Sequence, residues 1–228
     1  GCYVRSGLLS DVQFYEEYPS SYLADMSRRH RWIRGDWQIV RWLLPGVPGP
    51  DARRQKNPLS ALSRWKIFDN LRRSLIPAAL TALLLLGWTV LSSASFWTFS
   101  AIGILFFPPW ITAILGVLQK SNDAPLGQHI RAAGRPAGRH LAQAVFTLAC
   151  LPYEAFLNLD AIVRVIGRML VTHKRLLEWN PSNEPDRDSR TDLFASYRSM
   201  WTAPLLAFTT AFYLAVSNPA ALTVAGPI

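Results

Sequence analysis

The feature that most constrains this chain is the stretch of residues 74–119, which contains no Lys, Arg, Asp or Glu. A helix that crosses the hydrocarbon core of a bilayer needs roughly 17–25 mostly apolar residues. The stretch is long enough for two such helices, and the small residues 92–95 divide it where a tight loop would fit. We predict a transmembrane helical hairpin, with one span over residues 75–91 and the other over residues 96–118.

Two further features describe this apolar region. Pro108 and Pro109 lie inside the second span, and they predict a kink or a break there because proline removes a helical hydrogen bond. The C-terminal residues 199–228 are also uncharged. They predict a third span over residues 200–216 and, after a turn, the start of a fourth.

Basic residues are concentrated in segments that flank the uncharged ones. The formal net charge is +9, and 13 of the 24 Lys and Arg residues precede residue 74. This segregation is typical of a membrane protein whose basic loops stay in the cytoplasm. It argues against a nucleic-acid-binding domain, because the charge is not gathered in one patch. The hydrophobic content of 50% excludes a disordered chain, and the two Cys exclude a disulfide scaffold.

Two segments combine basic residues with an apolar face. Residues 59–75 contain apolar side chains at helical spacing beside basic ones; the apolar set is Leu62, Trp65, Phe68, Leu71 and Leu75. The pattern predicts a basic amphipathic helix at the membrane interface, and the alternative is an ordinary surface helix packed on a soluble core. Residues 161–179 predict a second such helix. Residues 141–153 are apolar but too short to span, so we predict an interfacial or re-entrant helix there.

The N-terminal part of the chain is polar and aromatic. Helical spacing over residues 21–44 predicts a helix, the Pro- and Gly-rich residues 45–50 predict a break, and residues 51–57 predict a solvated loop. The chain begins without methionine and ends in an apolar stretch. We therefore expect it to be a fragment of a longer protein.

The densest group of chemically useful side chains lies in residues 27–38, which hold four Arg, two Trp, one His and one Asp. In a helix, Arg28, Arg31 and Trp32 share one face. Guanidinium groups bind a diphosphate through paired hydrogen bonds, and the flat face of an indole suits a sugar ring. The alternatives are contact of the arginines with anionic lipid, anchoring of the tryptophans at the membrane interface, and binding of nucleic acid.

The sequence contains no strong signal for a metal site or a phosphate-binding loop. The four His and two Cys lack metal-ligand spacing, and neither a Gly-rich phosphate loop nor a serine nucleophile motif occurs. We therefore expect no metal ligand in this chain.

Several strings of the sequence resemble a known family. Arg31-Trp32, at the end of residues 28–32, resembles the Q-x-x-R-W signature of processive family-2-type β-glycosyltransferases such as cellulose and hyaluronan synthases. Its first position is Arg28 rather than Gln, so the role of that Gln does not transfer directly. The wider string 30–38 more specifically resembles cyclic β-1,2-glucan synthase. The strings with the same resemblance are 7–12, 15–19, 64–74, 151–155 and the stretch that ends at 176–179.

This resemblance implies a fold and a division of the chain. The fold would be mainly α, with polytopic membrane helices and basic interfacial amphipathic helices attached to the C-terminal part of an A-type α/β glycosyltransferase domain. The implied segments are 1–57, the end of the cytoplasmic transferase domain with the Arg-Trp signature; 58–74, an interfacial helix; 75–118, the transmembrane hairpin; 119–198, a cytoplasmic and interfacial helical region; and 199–228, a third transmembrane helix and the start of a fourth.

The resemblance also implies an activity for the full protein. It would be a multi-pass enzyme of a bacterial inner membrane that transfers glucose from UDP-glucose, with inversion, to a growing β-1,2-glucan. A divalent cation, Mg²⁺ or Mn²⁺, and a catalytic base would be held by Asp residues upstream of Gly1. A separate phosphorylase-like domain would follow downstream. Asp186-Arg187-Asp188 has the letters of a D-x-D motif, but we interpret it as a surface loop.

The substrate-binding residues expected from this resemblance lie in the Arg- and Trp-rich segment. They are Arg28, Arg31, Trp32, Arg34, Asp36 and Trp37. Trp32 would stack under the acceptor glucose, and Arg31, assisted by Arg28, would steady the diphosphate of the leaving UDP. We expect Asp36 to pair with Arg34 or Arg31 rather than to act as a base. No catalytic residue is expected in this chain, which alone should be inactive.

Two alternatives remain at this point. One is a related β-glycosyltransferase that makes another linkage, as cellulose and hyaluronan synthases do. The other is a non-catalytic polytopic membrane protein, such as a transporter subunit.

Overall fold

The computed structural model of the chain describes residues 12, 13, 19, 21–49, 53–119, 125–174, 176 and 197–228. It is mainly helical. The helices are α1 (Tyr22–Gln38), α2 (Ala61–Thr89), α3 (Ala94–Leu118), α4 (Leu126–Gly167), α5 (Thr202–Ser217) and α6 (Pro219–Ala225). The short elements are a 3₁₀ turn (Val40–Leu43), strands β1 (Gly46–Pro48) and β2 (Arg54–Lys56), and a π-helical turn (Arg168–Thr172). The Asp186-Arg187-Asp188 string lies outside the described residues.

The chain divides into two compact units. The first comprises Gly1–Ile76 and Leu157–Arg198, and the second comprises Pro77–Phe156 and Ser199–Ile228. The Arg- and Trp-rich segment belongs to the first unit, and most of the predicted transmembrane hairpin belongs to the second.

Helix α1 begins directly after Ser21, which caps its N-terminus. The Ser21 hydroxyl accepts a hydrogen bond from the backbone N–H of Ala24 at 3.2 Å, and Asp25 in the first turn complements the positive end of the helix dipole. Met26 and Ile33 are buried on one side of the helix. The prediction of a helix in this region is confirmed, and the 3₁₀ turn Val40–Leu43 continues it after Gln38.

A small β-hairpin replaces the break and solvated loop predicted after α1. Strands β1 and β2 are antiparallel, and Val47 lies opposite Gln55. Val47 has no exposed surface, so its burial anchors a segment that otherwise looks like loop sequence. The prediction was wrong because strands of three residues are too short to show an alternating pattern.

Helix α2 runs through the predicted boundary between an interfacial helix and the first span. It has 29 residues and contains Pro77 in its interior. The apolar side chains Leu62, Trp65 and Phe68 are exposed, whereas Leu71 is buried. The contact of this face with a membrane surface stays a prediction.

Helix α3 follows α2 after a short loop, as predicted, and the two helices are in contact beside this loop. Ser93, in the connecting loop, has a left-handed backbone conformation with φ of 64°. The indole N–H of Trp88 donates to the Thr98 hydroxyl at 2.8 Å. The helix continues without a break past Pro108 and Pro109. By length and composition α2 and α3 can each cross a membrane.

Helix α4 joins segments that the sequence predicted as separate. It has 42 residues with Pro136 and Pro152 in its interior, so the short interfacial helix over 141–153 and the start of the second amphipathic helix are parts of one helix. Interior proline removes only local bonding, and buried residues on both sides of Pro152, such as Leu151 and Ala155, keep the helix packed.

The C-terminal region is helical as predicted, with shorter elements. Helix α5 has 16 residues, which corresponds to a length of about 24 Å, less than the roughly 30 Å of a bilayer core. After the predicted turn at Asn218, helix α6 begins at Pro219. A third complete span and the multi-pass arrangement stay predictions.

Candidate functional site

The open face of helix α1 carries a stacked cation and indole. The guanidinium carbon of Arg28 lies 4.8 Å from the ring centroid of Trp32, one helical turn away. Trp32 is 57% exposed, a large fraction for an indole. Cation–π contact holds the two groups together while one indole surface stays open to a ligand.

Two arginines at this face share one acidic partner. The carboxylate of Asp25 forms ion pairs with the guanidinium groups of Arg28, at 2.9 Å, and of Arg29, at 2.8 Å. In the part of the chain that the structure describes, the buried Nε of Arg28 has no hydrogen-bond partner. Guanidinium groups of this kind suit an anionic group.

Arg31 and Arg34 lie on the same helix, at about 100° and about 200° of rotation from Trp32, so Arg31 borders this face and Arg34 lies behind it. No described residue forms a hydrogen bond or ion pair with Arg31, which is partly exposed beside Trp32. Arg34 lies close enough to His30 for its charge to disfavour protonation of that imidazole. The side chains of Arg31 and Arg34 therefore differ in their surroundings: Arg31 is partly exposed, and Arg34 lies near His30.

Asp36 follows Trp32 by one helical turn, in line with Arg28. Its Oδ1 accepts a hydrogen bond from the Asn70 side chain on α2 at 3.3 Å. Partial burial raises the pKa of Asp36, and the Asn70 hydrogen bond partly offsets that rise. The predicted pairing with Arg31 or Arg34 was wrong, because the polar partner of Asp36 in the structure is Asn70.

Trp37 lies on the other side of α1 from Trp32. Its ring packs against the buried cluster of Ile33, Ala161 and Ile162, and its indole N–H donates to the Ser74 hydroxyl at 3.0 Å. The structure therefore brings Arg28, Trp32 and Asp36 together on one face and turns Trp37 toward α2 and α4. A substrate-binding role for Trp37 stays a prediction.

The sequence missed a polar cluster behind α1. His30 Nε2 lies 3.0 Å from Asp160 Oδ2 on α4, although 130 positions separate the two residues. Arg164 Nε lies 2.7 and 2.6 Å from the two carboxylate oxygens of Asp160. Helical spacing places His30 on the same side as Ile33 and Trp37, but the sequence carries no signal for its partner.

Burial and charge set the protonation of this cluster. Partial burial lowers the pKa of His30 despite the neighbouring carboxylate of Asp160. Partial burial acts to raise the pKa of Asp160, but the hydrogen bonds and charges of Arg164 and His30 outweigh it and hold that pKa below its ordinary value. A neutral imidazole therefore donates to an ionised carboxylate near neutral pH.

A second buried link, also missed, joins three helices of the first unit. Ser74 of α2 accepts from Trp37 of α1 and donates to the Leu71 carbonyl at 2.6 Å. The Asn158 side chain of α4 donates to the Ser74 carbonyl at 2.8 Å. These bonds satisfy polar groups that burial would otherwise make costly.

Within the described ranges, no group of three or more His, Cys, Asp or Glu is placed to hold a metal ion. The Asp residues expected to bind a cation were predicted to lie outside this chain, so the cation stays a prediction.

Comparison with known proteins supports one family. No family profile matches the chain. It is 36% identical over 220 residues, 96% of its length, to the cyclic beta-(1,2)-glucan synthase NdvB of Rhizobium meliloti (strain 1021). The chain spans 8% of the length of that protein. The resemblance predicted from the sequence strings is thereby confirmed, and the match supports a fragment of that family.

Proposed function

Because the chain matches a segment of a cyclic beta-(1,2)-glucan synthase along nearly its whole length, we propose that it is part of a membrane-bound, processive, inverting glycosyltransferase. The enzyme transfers glucose from UDP-glucose to a growing β-1,2-glucan. The observation that carries this proposal in the structure is the exposed Trp32 indole, with the Arg28 guanidinium stacked on it at 4.8 Å.

The open face of α1 supplies groups of the right chemistry for both substrates. Trp32 offers a flat apolar surface on which a glucose ring of the acceptor can stack. Arg31, next to it, and Arg28 carry the positive charge that steadies a diphosphate, whose negative charge grows as the bond to glucose breaks. Asp36 lies one turn farther on and can accept a hydrogen bond from a sugar hydroxyl.

The remaining parts of the reaction belong to other segments of the same polypeptide. The base that activates the acceptor hydroxyl and the Asp ligands of Mg²⁺ or Mn²⁺ lie upstream, and a phosphorylase-like domain lies downstream. The cation would neutralise charge on the UDP diphosphate. This chain binds and orients both substrates and therefore has no transferase activity by itself.

The lipid bilayer of a bacterial inner membrane is the second partner. Helices α2 and α3 are long and apolar enough to cross it. The exposed Leu62, Trp65 and Phe68 of α2 rest at the interface, where aromatic side chains are favoured. The basic segments remain on the cytoplasmic side, where UDP-glucose is available.

The test is Trp32→Ala in membranes that carry the full-length protein. Loss of the stacking surface should reduce glucan synthesis from UDP-glucose at least about 100-fold, since poor orientation of the acceptor alone can have an effect of this size. Insertion and protein level should stay at wild-type values. Trp110→Ala is the matched control: Trp110 is similarly exposed, at 62%, but lies on α3.

Wild-type synthesis by the Trp32→Ala protein would overturn the role of this face. Absence of glucan synthesis by the wild-type protein would favour a non-catalytic membrane protein. Linkage analysis of the wild-type product separates a β-1,2-glucan from the product of a related transferase. A product with another linkage would retain the role of Trp32 but reject the proposed glucan.

A further inference from the structure

The direction in which Trp32 faces depends on how α1 is rotated about its axis. Side chains extend to a radius of about 5–6 Å from a helix axis, so a rotation of about 10° moves their ends by about 1 Å. A displacement of about 1 Å is enough to reduce a reaction rate by about 100-fold. The contacts behind α1 therefore bear directly on the function of its open face.

Apolar packing alone does not define this rotation sharply. Ile33 and Trp37 of α1 pack against Ala161 and Ile162 of α4, and such contacts are non-directional. Two directional hydrogen bonds lie on the same side of α1: Trp37 donates to Ser74 of α2 at 3.0 Å, and His30 is hydrogen-bonded to Asp160 of α4 at 3.0 Å. The His30 bond joins α1 to α4.

Asp160 is itself held in place. Arg164, one turn along α4, approaches both carboxylate oxygens at 2.7 and 2.6 Å. The ion pair restrains the Asp160 side chain, so the position of Oδ2, the oxygen that Arg164 and His30 share, is set by α4 rather than by α1. The position of the His30 side chain therefore depends on Asp160, and the rotation of α1 depends on the position of His30.

We propose that Asp160 is a positioning residue for the transferase site: through His30 it sets the rotation of α1 and thereby the direction in which Arg31 and Trp32 face the substrates. The inference rests on the proposed function of that face. It assigns a role in synthesis to a residue on α4 that lies 130 positions after its partner on α1.

The test uses Asp160→Asn in the full-length membrane protein. Asn keeps the size of the side chain but loses the charge that strengthens both hydrogen bonds. We expect glucan synthesis per inserted molecule to fall about tenfold or more. His30→Leu should have a similar effect, whereas His30→Gln, whose amide can still donate to Asp160, should stay within about threefold of wild type.

Coupling between the two residues distinguishes this role from general support of the fold. If Asp160 acts through His30, the double variant Asp160→Asn/His30→Leu should be no worse than either single variant, because one interaction is removed in each case. The control is Asp69→Asn. Asp69 also pairs with arginines of its own helix, Arg72 and Arg73. Glucan synthesis by the Asp69→Asn protein should stay within about twofold of wild type.

Three results would overturn the inference. The first is glucan synthesis at the wild-type rate by Asp160→Asn. The second is a double variant whose fold-reduction in synthesis equals the product of the two single reductions. The third is a reduction in Asp160→Asn that is fully explained by a smaller amount of inserted protein. Normal synthesis by Trp32→Ala would instead reject the proposed role of the open face of α1. If Trp32→Ala is inactive and Asp160→Asn is normal, only the positioning role fails.

Discussion

Trp32 and Trp37 are five positions apart on one helix, yet their surroundings differ. Trp32 is exposed and stacked with Arg28, whereas Trp37 packs in the first unit and donates to Ser74. Five residues correspond to about 1.4 turns of an α-helix, so the two indoles lie on different sides. The same residue type therefore offers a ligand surface at one position and packing at the other.

The protonation of His30 predicts a dependence of stability on pH. Burial holds its pKa below the ordinary value, against the effect of Asp160 and in the same direction as the charges of Arg34 and Arg164. The unfolded chain then binds a proton at a higher pH than the folded one. Stability must consequently decrease as the pH falls from about 6.5 through the folded-state pKa, and increase in the opposite direction.

The measurement is the thermal unfolding temperature in detergent at pH 7.5 and at pH 5.5, for wild type and for His30→Gln. Gln does not titrate, so the decrease at the lower pH should be smaller in that variant. His140→Gln, at an exposed position, should keep the full decrease. Asp160 does not interfere in this range, because its pKa is lowered and its contribution is lost only at more acidic pH. An equal decrease in all three proteins would contradict the assignment to His30.

At the scale of elements, the long helices contain proline in their interiors. Pro77, Pro136 and Pro152 lie inside helices, and α3 continues past two adjacent prolines. Neighbouring hydroxyls accompany two of these sites: Thr81 donates to the Pro77 carbonyl and Thr112 to the Pro108 carbonyl. Helices in apolar surroundings tolerate proline because breaking the helix would expose more unpaired backbone groups.

The hairpin of α2 and α3 depends on a close approach at Gly87. A Cβ atom at this position would lie 2.5 Å from the Cβ of Trp97, which is inside contact distance. We predict that Gly87→Ala destabilises the second unit by about 1–3 kcal/mol, the usual effect of overpacking. Gly103→Ala on α3 is the matched control, since no atom lies within 4 Å and alanine favours the helix by up to about 1 kcal/mol.

The readout for this pair is the temperature at which Cys150, buried in the same unit, reacts with a thiol dye in detergent-solubilised protein whose other cysteines are replaced by serine. Gly87→Ala should react at a lower temperature than wild type, and Gly103→Ala at the same or a higher one. Equal temperatures for the two variants would show that the hairpin is packed more loosely at Gly87.

For the whole molecule, the distribution of charge predicts an orientation in the membrane. Basic residues precede α2 and follow α3, and two consecutive spans return the chain to its starting side. By the positive-inside rule that side is the cytoplasm. In intact cells whose outer membrane is permeable to the reagent, a maleimide that cannot cross the inner membrane should label Ser92→Cys. It should label Lys56→Cys only after lysis. The reverse pattern would contradict the orientation.

The sequence was informative wherever a pattern repeats over a long stretch. The two long apolar helices, the helix that carries Arg28, Arg31 and Trp32, and the family resemblance were predicted and confirmed. The arrangement of the two apolar helices as a transmembrane hairpin stays a prediction. The short β-hairpin was missed because its stability comes from the burial of Val47 rather than from a local pattern. The continuity of α2 and α4 was missed because the sequence was divided where charge and hydropathy change, and such a change does not end a helix.

The sequence alone was therefore sufficient to establish which segments are apolar, where the positive charge lies and to which family the strings are similar, because composition and order carry these properties. The contacts of His30 with Asp160, of Trp37 with Ser74 and of Asp36 with Asn70 became known only from the folded chain. Each joins residues on different helices. Hydrogen bonds of this kind depend on distances and angles that arise when helices pack, and no spacing along the chain encodes them.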